Sequence, residues 1–265
     1  MFEVIGERIN TSRKLVQAAV AERDAEYIID DVKKQQEAGA NYIDVNAGIF
    51  EEKEAERLKW VIEVVQEVTD VPLSIDSPDP KVIKAVLGHL EKRPIINSIT
   101  LEPTRLEGIL PLVLEYKTKV IGLCQSEHTS AETVEDKVRL AGQLVERVTE
   151  AGISLDDFYI DPLVYPLATN SQSAVATIQA IEQIMMEFPG VHTTCGLTNV
   201  SYGLPNRKLV NRIFLVAAIS RGLDTAILDP TDNQLYSALK TARMVSGKDD
   251  FCLEYIDGFR EGRFE

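Results

Sequence analysis

Cysteine, histidine and basic charge are all in short supply in this sequence, and each shortage excludes a class of function. Three cysteines (Cys124, Cys195, Cys252) in 265 residues, with no Cys-x-x-Cys spacing, cannot supply a disulfide framework or a cysteine-rich zinc site. The three histidines (His89, His128, His192) stand apart from one another and from the cysteines, which argues against a zinc hydrolase and leaves no metal site expected. Lysine and arginine number 28 against 42 acidic residues, a net charge of -14. A surface that neutralises phosphates needs the opposite balance, so nucleic acid is not an expected partner. Long apolar runs are also missing. The longest, residues 213–219, falls far short of the roughly 20 residues that cross a bilayer. Residues 1–10 carry Glu3 and Glu7 with no basic stretch ahead of an apolar segment, so no secretory leader is read there and a cytoplasmic location is expected.

What is present is a repeated unit: a short β-branched run closed by polar or small residues, then a longer amphipathic stretch, then another run. That alternation predicts a parallel sheet. Eight runs are expected as strands, at residues 3–9, 42–47, 72–76, 94–98, 119–124, 158–162, 192–197 and 225–229. The stretches between them carry helix punctuation. Asp24 and Gly39 bracket residues 25–38, Pro78 to Pro80 opens another helix, and Gly222 closes residues 206–222. Thr129 with Glu132 reads as a capping box opening a further helix. No linker or low-complexity tract divides the chain, so one domain spanning residues 1–265 is expected. Eight units at roughly 33 residues each match a (β/α)8 TIM barrel. The alternative is a doubly wound open sheet, but the first strand-to-helix turn reads Glu7-Arg8-Ile9-Asn10, with no glycine-rich phosphate loop.

In such a barrel the chemistry sits at the C-terminal ends of the strands. The polar residues there are Glu7 and Asn10, Asp44 and Asn46, Asp76, Asn97, Asp161, Asn199 and Asp229. Every one is a carboxylate or an amide. None is lysine, so Schiff-base chemistry lacks its nucleophile. A carboxylate accepts two donors side by side and an amide both donates and accepts in one plane, which suits the edge of a flat, amine-bearing heterocycle such as a pterin or purine. The missing phosphate loop favours a ligand without phosphate. Structural readings stand beside these. Asp76-Ser77-Pro78 and Asp161-Pro162 also suit turn initiators, Asn10 and Asn46 suit residues that orient a neighbour, and Arg207 suits either the surface or a ligand carboxylate. Cys195 reads as a small core residue, with no histidine placed to activate it. Asn97, between two apolar pairs, reads as a ligand contact because a buried amide needs partners.

Taken together, Gly6-Glu7-Arg8-Ile9-Asn10, Asp44-Val45-Asn46, Asp76-Ser77, Ile96-Asn97-Ser98, Asp161-Pro162, Gly196-Leu197-Thr198-Asn199-Val200-Ser201, Asn206-Arg207 and Asn211 resemble the pterin-binding, corrinoid-dependent methyltransferases. That family includes the methyltetrahydrofolate:corrinoid iron-sulfur protein methyltransferase and the folate module of cobalamin-dependent methionine synthase. The resemblance implies transfer of a methyl group between a corrinoid protein and N5 of tetrahydrofolate. It implies that Asp76, Asn97 and Asp161 hold the pterin edge, that Gly196, Thr198 and Arg207 line the site, and that Asn199 is catalytic at N5. Glu7, Asn10, Asp44, Asn46 and Ser98 would stand behind them. Cobalamin would come on a partner protein, since no histidine lies in an Asp-x-His-x-x-Gly context, and the family implies a homodimer. The direction implied is towards methyltetrahydrofolate in catabolism of a methylated substrate, the alternative being the reverse transfer in acetyl-CoA synthesis. The related dihydropteroate synthases use a lysine that residues 198–207 lack. A non-catalytic pterin-binding protein is the reading from another class.

Overall fold

The computed structural model describes residues 2–129 and 131–264, so Met1, Ser130 and Glu265 lie outside it, including both ends of the expected 1–265 domain. Eight strands form: β1 (Glu3–Asn10), β2 (Tyr42–Asn46), β3 (Leu73–Asp76), β4 (Ile95–Ile99), β5 (Lys119–Leu123), β6 (Phe158–Asp161), β7 (His192–Thr193) and β8 (Thr225–Leu228). Each pairs in parallel with the next, and β1 also pairs with β8. The ring closes between β7 and β8 through one bridge, Gly196 to Ile227, where the Ile227 N–H donates to the Cys195 carbonyl at 3.0 Å. This is a TIM barrel. Its strands are apolar on both faces because the interior and the helix layer both cover them. Ile5, Tyr42, Ile95, Ile121 and Tyr159 fill the interior.

The helices follow the sequence punctuation. β1 leads into α1 (Lys14–Glu22) and α2 (Ala25–Glu37), where Asp24 caps the Tyr27 N–H at 3.1 Å and Gly39 leaves at φ 85°. Then come α3 (Glu54–Gln66), α4 (Pro80–Leu87) and α5 (Pro103–Tyr116), with Asp79 capping α4 at the Lys81 N–H, 2.8 Å. The capping box expected at Thr129 is not the start of α6 (Val134–Glu150). The cap is Thr133, whose hydroxyl accepts from the Asp136 N–H at 3.1 Å, while the Thr129 N–H is taken by Ser126 Oγ in a local turn. The remaining helices are α7 (Ser173–Glu187), α8 (Arg207–Ser220), α9 (Asn233–Val245) and α10 (Leu253–Arg260). No helix among the described residues is long and apolar enough to cross a membrane. The run expected as a strand at 192–197 is extended only over His192–Thr193. Its remainder keeps one bond to β6, from the Thr194 N–H to the Ile160 carbonyl at 2.9 Å, meets β8 at the Gly196 bridge and winds into a 3-10 turn, Leu197–Ser201, that carries Thr198 and Asn199.

At the N-terminal end of the barrel a paired polar plug closes the interior. The Tyr159 hydroxyl donates to Glu3 at 2.6 Å and lies 2.6 Å from Lys119 Nζ, and its ring stacks on His192 at 4.8 Å. His192 Nδ1 is 2.7 Å from Asp224, which also accepts from the Thr193 N–H at 2.9 Å.

Candidate active site

The C-terminal strand ends surround a cleft of about 620 Å³. Of the residues expected there, Glu7, Asn10, Asp44, Asp76, Asn97, Gly196, Thr198, Asn199, Arg207 and Asp229 line it. Parallel register brings them together: Asn46 pairs with Asp76 across β2 and β3, and Asp76 with Asn97 across β3 and β4.

The floor is a hydrogen-bonded lattice. Asp44, fully enclosed, accepts from Ser74 Oγ at 2.7 Å and from Asn97 Nδ2 at 3.2 Å. Burial, reinforced by Asp76, pushes its carboxyl well above the usual range. Asn46 donates to Asp76 Oδ2 at 3.1 Å and to the Asp76 carbonyl, while its own oxygen accepts from Thr11 Oγ1 and the Gly48 N–H. It therefore orients Asp76 and has little left for a ligand. Burial lifts Asp76 to about 6, against the Asn46 amide and the nearby Arg105. Arg105 also donates to the carbonyl and hydroxyl of Ser98, at 2.8 and 2.9 Å, so Ser98 is tied behind Asn97 and away from the cleft. Asp161 likewise sits beneath the surface. Its carboxylate accepts from the Leu163 N–H at 2.8 Å, and burial raises it to about 6, against its bonds to the Leu163 and Gly196 N–H groups.

The opposite wall is the 3-10 turn. Arg207 does not reach freely into the cleft, because its guanidinium donates to the Thr198 carbonyl at 2.8 Å and to Ser201 Oγ at 3.1 Å. It braces the turn that carries Asn199. The Asn199 carboxamide makes no hydrogen bond among the described residues and packs on Gly196, where an added Cβ would lie 3.0 Å from Nδ2. Glu7 accepts from Thr198 Oγ1 at 3.3 Å. Asn10 caps the Ser12 N–H at 2.9 Å. Asp229 departs from the other acids. Burial raises it, but Thr231 and Arg8, 2.9 Å away, hold it below the usual carboxylate value.

Some participants were not legible in the sequence. Arg13, Lys208 and Asp232 line the cleft from the loop after β1 and from the starts of α8 and α9. Asn211, one of the residues that carried the resemblance, also faces it, and its Oδ1 is buried with no partner among the described residues. Lys137, fully buried on α6, donates from Nζ to the carbonyls of Ala131, Pro162 and Leu163 at 2.7, 2.7 and 2.5 Å, pinning the turn after Asp161. Burial lowers it to about 8. Cys124 and Cys195 are free and enclosed, with thiols pushed up by burial, so neither is a ready nucleophile. Among the described residues no group of three or more His, Cys, Asp or Glu could hold a metal ion.

This floor of acceptors, with an unbonded amide above it, can grip a planar ring by its donor edge and place one ring atom against Asn199. Comparison with known proteins agrees in kind. The family described as pterin binding enzymes matches residues 6–229. The chain is 36% identical over 262 residues to the methylcorrinoid:tetrahydrofolate methyltransferase of Eubacterium limosum, covering 98% of this chain and 97% of that one. It is 32% identical over 238 residues to a methionine synthase of Mycobacterium leprae (strain TN), spanning 85% of this chain and 20% of that protein. In fold it resembles dihydropteroate synthase from Xanthomonas albilineans in complex with 7,8-dihydropteroate, with a TM-score of 0.63 at 22% identity over 92% of this chain and 93% of that one.

Proposed function

Because the chain belongs to the family of pterin binding enzymes, we propose that it moves a methyl group from a methylated corrinoid protein to N5 of tetrahydrofolate, forming methyltetrahydrofolate in the breakdown of a methylated substrate. The observation that carries this reading is near full-length similarity to a transferase named for that reaction. The acceptor-lined cleft supports it.

On this reading Asp76 and Asn97 take the donor edge of the pterin. Asp161, set beneath the lining, would reach it from the β6 side with the lone pairs left by Leu163 and Gly196, and Gly196 and Thr198 form the wall beside N5. Asn46 and Ser98 stand behind these contacts, while Glu7, Asn10 and Asp44, expected behind them too, lie on the lining of the cleft. The transfer is a displacement at carbon between two nucleophiles: the N5 lone pair forms the carbon–nitrogen bond as the carbon–cobalt bond breaks and leaves its electron pair on cobalt. The protein forms no covalent bond. It holds N5 in line with the incoming methyl group and follows the changing charge at N5 with the Asn199 amide, which donates to a bare N5 and accepts from a protonated one. The corrinoid is a co-substrate carried by a partner protein.

A homodimer fits the exposed apolar stripe Leu209, Ile213 and Val216 on α8, which a second copy would cover. A cytoplasmic location fits three unpaired cysteines. The test is to mix the chain with tetrahydrofolate and either a methylated corrinoid protein or free methylcobalamin as the methyl donor, and to follow the cobalt absorption with each. Appearance of the Co(I) spectrum with methyltetrahydrofolate is expected. Tight tetrahydrofolate binding with no spectral change would make this a binding protein and overturn the transferase reading. Comparing the rate with that of the reverse reaction decides the favoured direction.

A further inference from the structure

The transfer to tetrahydrofolate leaves a proton to be placed at N5, and the group assigned to that atom, the Asn199 amide, cannot take it. Tetrahydrofolate carries a hydrogen on N5. Once N5 has also bonded the methyl carbon it holds four bonds and a positive charge, and a carboxamide such as Asn199 is not a base. Glu7 is half-buried on the β1 wall of the same cleft. Its only hydrogen bond among the described residues comes from the hydroxyl of Thr198, the neighbour of Asn199, and no cation reaches ion-pair distance. Arg8, next in the chain, is turned away onto Asp31 and Asp229.

We propose that Glu7 is the acid–base residue of this site, accepting the N5 proton as the methyl group arrives and returning it when the transfer runs backwards. The inference rests on the methyl-transfer reading. The balance is complete: the N5 lone pair becomes the nitrogen–carbon bond, the carbon–cobalt pair stays on cobalt, which passes from Co(III) to Co(I), and the proton moves from N5 to a Glu7 carboxylate oxygen and then to solvent. Thr198 positions the carboxylate beside the atom that Asn199 addresses.

The surroundings tune Glu7 for this task. Asp229 at the end of β8 and Asp44 on β2 present like charge, while Arg13 after β1 and Arg207 on α8 oppose it from the rim. Burial first, then Asp229, raise Glu7 to about 7, and the Thr198 hydroxyl and the two arginines act against that rise. A base is most effective when its pKa lies near the working pH. Only the ionised carboxylate accepts a proton, so methyl transfer to tetrahydrofolate falls as pH drops through about 7.

The experiment measures kcat against pH for transfer from methylcobalamin to tetrahydrofolate, with tetrahydrofolate affinity by calorimetry, in the wild type, Glu7→Gln and Thr198→Val. Glu7→Gln is expected to lose about 100-fold or more in kcat together with the acid limb, with affinity within about threefold. Thr198→Val is expected to keep the limb but move it to higher pH, because the hydroxyl that favours the carboxylate is gone; this holds the proposal to account even if Glu7→Gln does not fold. A Glu7→Gln enzyme with kcat within about threefold of wild type and an unchanged limb, or a Thr198→Val limb that does not move, overturns the role of Glu7 while leaving methyl transfer standing. A wild type that binds tetrahydrofolate and transfers nothing from either methylcobalamin or a methylated corrinoid protein overturns both.

Discussion

The two ends of the barrel use the same kinds of side chain in opposite ways. At the N-terminal end Glu3, Lys119 and Tyr159 are joined at 2.6 Å and His192 and Asp224 at 2.7 Å, the two sets meeting where the Tyr159 and His192 rings stack, with each acid facing a hydroxyl or a cation. At the C-terminal end Glu7, Asp44, Asp76 and Asp161 are bonded only to amides, hydroxyls and backbone N–H groups, and all four titrate above their usual values. A paired plug stabilises a fold. Unpaired buried acids cost stability, and they persist where a ligand supplies the missing donors.

Four substitutions probe that contrast. The largest effect is expected from Asn199→Ala: a loss of about 100-fold or more in kcat, with melting temperature and tetrahydrofolate affinity little changed, because it removes a contact made to the reacting atom and none within the protein. Turnover close to wild type with pterin still bound would remove Asn199 from the mechanism. Next, Asp76→Asn should weaken tetrahydrofolate binding by about tenfold or more, the worth of a charged hydrogen bond, without lowering stability. Since the folded-state value of Asp76 is raised to about 6, its contribution is present at low pH and lost as pH rises from about 4 through 6. The melting temperature of the variant should gain on wild type across that window, and parallel curves would refute the assignment. Tyr159→Phe at the opposite end should do the reverse, lowering stability by about 1 to 2 kcal/mol in urea while kcat holds. The smallest effect is expected from Gly196→Ala, where the new methyl meets Asn199 Nδ2 and should cost several-fold in kcat at unchanged stability.

The contrast also marks how far the sequence could be read. β-branched runs between turn residues located all eight strands, and because strand ends converge in a barrel, the polar residues closing them predicted most of the cleft. Asn46 and Ser98, absent from the cleft lining, are tied to Asp76 and Arg105. What was not legible depends on three-dimensional closure. The shortness of β7, followed by a single bridge to β8 and a 3-10 turn, leaves no mark in the apolar run 192–197. The seclusion of Asp161 under Gly196, and the burial of Lys137 against backbone carbonyls, leave no periodic signal, since a lysine on an amphipathic helix normally reads as solvated. Thr129 and Thr133 offer similar caps, and only the local turn around Ser126 decides between them.

The ring of strands is completed by seven ladders and one single-bridge seam, and that seam lies at Gly196, three residues before Asn199. Pairing is therefore unevenly distributed around the circumference: the carboxylate floor stands on continuous ladders, whereas the Asn199 amide follows a seam held by a single bridge. On the proposed mechanism such a layout separates the anchor of the ring from the group that meets its reacting atom, so that substitutions in residues 196–201 would retune reactivity without disturbing the ladders below.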